Sequence, residues 1–205
     1  MPEAAWGALL GCALTAFGLV GAELAARRLG WDEFAARKLM HTAASLTTAL
    51  GAWWLGQASF IWVGLVFLAL MAASRLIPSG ALATLAKLRQ TSWGETSFPL
   101  GVALSAWLAP DLRGFVAAVA VLGAADTAAA LAGRRWPRPK LAFGKSPAGS
   151  LAFLVLAAAV LMVAEQRPYA LAVAAAATAA EALSPRGLDN ATIPVTVALA
   201  LRAPF

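Results

Sequence analysis

The chain has 205 residues, is 61% hydrophobic and only 13% charged, and carries a formal net charge of +6. Soluble globular domains carry about 25% charged residues, so this composition argues against an ordinary soluble enzyme. The length suits one domain over 1–205. The excess of lysine and arginine falls in short segments between apolar runs. There it sets orientation in a bilayer, with no nucleic-acid partner implied.

A membrane-spanning helix needs about 20 mostly apolar residues. Ala4 to Ala22, Leu39 to Ser74 and Ser146 to Ala164 hold no Asp, Glu, Lys or Arg. The pattern predicts spans near 4–26, 39–56, 58–74, 96–110, 112–132, 147–164, 168–184 and 191–203, an all-α polytopic bundle of seven or eight transmembrane helices. The first span carries the only cysteine, Cys12, as a small packing residue. Leu9-Leu10-Gly11-Cys12 faintly resembles a lipoprotein cleavage site, but no basic residue precedes it, so a retained helix is expected. Trp53, Trp54 and Trp62 fit an interfacial aromatic belt. The fourth and eighth spans are short and contain Pro99 and Pro194, which leaves open whether either is broken, tilted or partly interfacial. Runs of alanine such as Ala172 to Ala180 read as packing surfaces, because small residues let helices approach closely in lipid.

Odd-numbered loops hold 13 of the 16 basic residues, among them Arg27, Arg28, Arg75, Lys87, Arg89 and Arg186. Even loops and the C-terminus hold Arg113, Arg167 and Arg202. By the positive-inside rule the odd loops are cytoplasmic and the N-terminus, with Glu3, is outside. A multi-pass protein of the cell's inner (plasma) membrane is expected, with unknown oligomeric state.

On this map Glu23, Glu95, Asp126, Glu181 and Asp189 all fall at, or one to two turns inside, the cytoplasmic ends of spans. Acids within spans cost roughly 2.5–3.5 kcal/mol at the centre on insertion scales and are usually paired or face a polar cavity. Five together point to one polar site opening to the cytoplasm. Asp126, in Gly123-Ala124-Ala125-Asp126-Thr127, is the sharpest member. It suits a Mg²⁺ ligand or the acceptor of a substrate hydroxyl proton, against a structural ion pair between helices. Lys140 to Ser150 combines Gly144, Lys145, Ser146, Gly149 and Ser150 before a span. Amides at a helix start, with a lysine and hydroxyls, suit a phosphate cradle, and a capped helix start explains the stretch equally well. Arg37 and His41 are four apart and share a helix face with Lys38 nearby; they suit phosphate or headgroup contact. Glu95 opens the short fourth span, and Glu181, unlike the turn residues Pro185 and Gly187, has no structural explanation in the sequence.

Taken in order, several stretches resemble the CTP-dependent lipid-alcohol kinase family of dolichol kinases, phytol and phytyl-phosphate kinases, and yeast-type diacylglycerol kinase. Arg37-Lys38-Leu39-Met40-His41 is similar to its Arg-Lys-x-x-His stretch. Asp126 to Ala130, followed by Gly133-Arg134, resembles its Asp-x-x-Ala segment. Lys145-Ser146-Pro147-Ala148-Gly149-Ser150 looks like its Lys-Ser-x-x-Gly-Ser motif, and Glu181…Asp189-Asn190…Pro194 its C-terminal pattern. Ala125 stands where glycine is commoner. The resemblance implies transfer of the γ-phosphate of CTP to an isoprenoid lipid alcohol or its monophosphate, with Mg²⁺ as cofactor. It implies catalytic roles for Asp126 and Lys145, and nucleotide or phosphate contacts from Arg37, Lys38, His41, Ser146, Gly149, Ser150 and Arg134. Glu95, Glu181, Asp189 and Asn190 would bind substrate or metal, with Asp126 and Asp189 as metal ligands. A cytidylyltransferase acting on a lipid phosphate and a small secondary transporter are the rival classes.

Overall fold

The computed structural model describes residues 2–76, 93–165, 169–185 and 187–203. Lys87, Arg89, Arg167 and Arg186, whose charges enter the orientation argument, lie outside the described residues. So do Ser92 and the side chains of Glu3 and Arg75. Among the described residues all regular structure is helical. The elements are α1 (Pro2–Arg28), α2 (Glu33–Leu55), α3 (Gln57–Leu76), α4 (Gly94–Leu108), α5 (Leu112–Ala120), a π-helical turn (Val121–Ala125), α6 (Asp126–Arg135), α7 (Pro147–Glu165), α8 (Ala170–Leu183) and α9 (Asp189–Arg202).

Local chemistry sets the boundaries. Asp32 caps α2 by accepting from the Ala35 amide at 2.8 Å, satisfying a donor that the helix cannot satisfy internally. Gly56, at φ 78°, ends the helix where a side chain would be strained. Asp111 caps α5 in the same way through Gly114. Pro99 and Pro194 each sit six residues into their helix, and both α4 and α9 run on unbroken. Pro194 takes the Asn190 carbonyl out of the helix ladder. That oxygen packs against Gly101, where a Cβ would stand only 2.3 Å away, so a bare backbone at Gly101 lets α4 and α9 meet.

α5, the π turn and α6 form one continuous rod, Leu112–Arg135, at the centre of the bundle. Its most apolar window is 56% buried, against 17% for α1 and 22% for α7. Phe115, Leu122, Phe153 and Leu161 are fully enclosed around it. On the outside, Trp54 is 87% exposed, Phe17 79% and Val163 78%. Apolar surface of that extent is unfavourable against water and neutral against lipid. Ala5–Arg28, Leu112–Arg135 and Pro147–Glu165 are long and apolar enough to cross a membrane. Both features are those of a membrane protein.

The connections sort to two ends. Arg134 pairs with Asp32 at 2.7 Å and Lys145 with Asp189 at 2.8 Å, which brings the α1–α2, α6–α7 and α8–α9 connections together. At the other end the Gln57 amide donates to the carbonyls of Ala106 and Ala109, tying the α2–α3 turn to the α4–α5 turn. The first end is rich in basic residues, while Arg113 belongs to the second.

Candidate functional site

The basic end holds two lysine–carboxylate clusters. In the first, Lys38 Nζ on α2 donates to Asp126 Oδ2 at 2.6 Å. His41 Nε2, one turn further along α2, lies 3.4 Å from the same oxygen and 3.3 Å from the Leu122 carbonyl, with its ring edge-on to Phe98. Asp126 is 5% exposed, so its charge depends on these partners. The Thr42 and Thr127 hydroxyls meet at 2.9 Å beside it.

The π turn makes this junction possible. An extra residue in the turn widens the rod just before Asp126, a feature common near functional sites. Gly123 lies in that turn, and a Cβ there would stand 2.4 Å from the Ser45 Cβ. The missing side chain therefore lets α2 lie against the rod, with Lys38 and His41 over Asp126.

In the second cluster, Lys145 Nζ donates to Glu181 Oε1 at 2.6 Å and Asp189 Oδ2 at 2.8 Å. Burial would lower the ammonium's pKa, but Asp189 and Glu181 more than reverse this and hold it above the ordinary lysine value. Ser150 reaches the other Glu181 oxygen at 3.4 Å. The Asn190 amide donates to the Gly94 carbonyl at 3.0 Å, and Ser97 donates to the Gly187 carbonyl, fixing the start of α4 to the α8–α9 turn.

Both clusters line one cavity of about 800 Å³. Arg37, Glu95, Ser146, Gly149 and Asn190 also reach its wall. Arg37 is exposed and has no carboxylate partner among the described residues. Away from the charges the same cavity continues between apolar side chains of α1, α2 and α3.

Two expected residues are placed elsewhere. Arg134 is absent from the described cavity wall. It pairs with Asp32 and lies over the Phe34 ring, 4.7 Å from its centre. That pairing depresses the exposed Asp32 carboxyl below its ordinary value. Ser150 touches Glu181 from behind the wall. The start of α7 also differs from a row of open amides. Pro147 has no N–H, the Gly149 amide donates to the Ser146 side chain at 3.1 Å, and the Ser150 amide donates to the Ser146 carbonyl at 3.0 Å. Ser146 thus serves as the cap of α7. Gly149 is small because a Cβ would stand 2.9 Å from the Ala129 carbonyl.

Among the described residues no three His, Cys, Asp or Glu side chains gather into a metal-binding group. Asp126 and Asp189 sit in separate clusters. Mg²⁺ is nevertheless commonly held by one or two carboxylates, with water and phosphate oxygens filling its other positions. Glu181 and Asp189, already drawn onto a single cation, form a donor pair that fits this pattern.

Thr42, Thr127 and the π turn lay outside the sequence reading. The signals for them are Thr127, directly after Asp126, and Gly123 within the turn. No family model, curated protein or solved structure matches the chain.

Proposed function

We propose that the chain is an integral-membrane phosphotransferase that moves the γ-phosphate of CTP to an isoprenoid lipid alcohol or its monophosphate at the cytoplasmic face. The observation that carries this reading is the single cavity: two lysine–carboxylate clusters lie at one end and apolar walls at the other. Such a space suits an acceptor with a polar head and an apolar body. CTP as donor rests on the motif resemblance alone. The positive-inside rule supports a cytoplasmic site, a plasma-membrane location and seven or eight spans with the N-terminus outside.

Phosphoryl transfer depends chiefly on positioning and on neutralising charge. Lys38 and His41 both contact Asp126 through Oδ2, which leaves Oδ1 to accept the acceptor's hydroxyl proton. The lipid oxygen then forms its bond to the γ-phosphorus as the bond from that phosphorus to the β,γ-bridging oxygen breaks, releasing CDP. Lys145 and Arg37 offset the charge on the phosphates. Mg²⁺, held by Glu181 and Asp189, would neutralise further phosphate charge. Lys38 orients Asp126 before the substrate arrives.

Incubation of purified protein with CTP labelled at either the α- or the γ-phosphorus, plus a lipid alcohol, tests the proposal. A kinase places γ-label in the lipid; a cytidylyltransferase acting on a lipid phosphate would place α-label there. A secondary transporter would label nothing, and its polar groups would be expected near mid-membrane, whereas these gather at one end of the bundle.

A further inference from the structure

We infer that the Phe143 ring is a stacking platform for the nucleobase of the phosphate donor, an inference that rests on the phosphotransferase reading of the cavity. Phe143 stands at the tip of a tight turn between α6 and α7. The Leu141 amide donates to the Lys145 carbonyl at 2.8 Å and the Lys145 amide to the Ala142 carbonyl at 3.2 Å, which closes the turn. At the tip the Phe143 backbone is left-handed, with φ 55° and ψ 20°. Among the described residues the other four positive-φ positions are all glycines: Gly30, Gly56, Gly144 and Gly187. Glycine takes that conformation freely, whereas a Cβ crowds the following carbonyl oxygen. A phenylalanine there holds backbone strain, and strain of this kind collects at ligand-binding positions.

Packing does not account for the ring. Phe143 is 50% exposed, and among the described residues its ring meets no other ring and no cation. It does line the cavity. Arg37 and Lys140, also exposed, stand on the same wall, whereas Asp126 and Glu181 are buried. The ring and two cationic side chains therefore belong to the open end of the cavity, and the reacting carboxylate to the enclosed end. A nucleoside triphosphate has the matching order, with the base at one end, the γ-phosphate at the other and the remaining charge between. Lys145, in the same turn as Phe143, lies between them in this order. Phosphates held at its ammonium leave the base beside the ring. Stacking of a base on an aromatic side chain strengthens binding by about tenfold or more. Every base has a π-face, so the platform adds affinity for a nucleotide without selecting cytosine.

Equilibrium binding to the full-length protein in nanodiscs, with no acceptor alcohol present, tests this without turnover. The probes are labelled CTP and inorganic tripolyphosphate, which has the phosphates and no base. Phe143→Leu keeps apolar bulk but loses the ring, and should weaken CTP binding about tenfold. Tripolyphosphate should bind that variant within about twofold of wild type. Phe143→Tyr keeps the ring and should bind CTP within about threefold of wild type. Phe143→Gly should bind CTP as weakly as the leucine variant yet melt no lower than wild type, because glycine relieves the strained backbone. Wild-type CTP affinity in Phe143→Leu would assign the ring to contact with the bilayer and overturn the platform. An equal loss of tripolyphosphate would place the damage at the phosphates and overturn it as well. If these ratios hold while no γ-label reaches the lipid, the transferase reading fails and the platform stands. If γ-label transfers and Phe143→Leu binds CTP like wild type, the platform alone fails.

Discussion

Lys38 Nζ lies 2.6 Å from Asp126 Oδ2, joining α2 to the central rod across 88 positions of sequence. Their side chains are 19% and 7% exposed, so neither charge is well solvated. Removing one partner of such a pair strands the other, at a cost of about 3–5 kcal/mol. Lys38→Met should therefore lower the unfolding temperature in detergent sharply. Lys38→Met combined with Asp126→Asn should recover much of the loss. A double-mutant cycle with no coupling would show that the pair does not hold α2 to the rod.

Close packing at Gly123 should be as critical as the charges. Gly123→Ala places a methyl against Ser45, and overpacking of this kind costs about 1–3 kcal/mol. The displacement of α2 should also lift Lys38 and His41 from Asp126, so activity should fall with stability. Ser45→Gly in the same chain removes the obstructing side chain and should restore both. Failure of that rescue, with both variants folded, would mean the contact does not position α2.

Lys145 gives a pH signature. Its folded pKa is raised above the ordinary 10.5 by Asp189 and Glu181, against the effect of burial. A raised pKa contributes stability that is complete below the unfolded value and is lost as pH rises through the folded value. Between pH 7 and about 10 the Lys145 contribution should be flat, and it should decline at higher pH. Thermal melts of wild type and Lys145→Met should show the largest difference in the flat region and converge above it. A difference that grows with rising pH would contradict the assignment.

Arg134 supplies the contrast. Its partner Asp32 is exposed, and neither appears on the described cavity wall. Surface pairs contribute little, so Arg134→Ala should leave lipid phosphorylation within about twofold of wild type. Arg37→Ala, on the cavity wall and lacking a carboxylate partner among the described residues, should instead raise the KM for CTP about tenfold. A reversed order would place the nucleotide on the surface side of α6.

The sequence was informative where an amino acid sat against its surroundings. Asp126 and Glu181 were conspicuous because a carboxylate in an apolar run is costly unless something compensates, and both proved to be buried and paired. Helix positions were legible for a similar reason, since long uncharged runs have few alternatives; α1 and α7 fall close to the expected ranges. Direction was not legible. Arg134 and Lys145 are both bases at the same end of the bundle, yet one turns outward to Asp32 and the other inward to Glu181. A flexible basic side chain at a helix end can do either. The π turn was hidden because Val-Leu-Gly-Ala-Ala reads as ordinary helix. Its signal is Gly123, and that becomes clear only once Ser45 is seen opposite.

Central to this proposal is Asp126 as the group that accepts the acceptor's proton. Wild type and Asp126→Asn, purified at equal yield and shown by thermal melts to be folded, should be given γ-labelled CTP, Mg²⁺ and farnesol. Label in the lipid fraction from wild type, with at least a thousandfold loss in the variant, is the expected result. Wild-type turnover by the asparagine variant would contradict it.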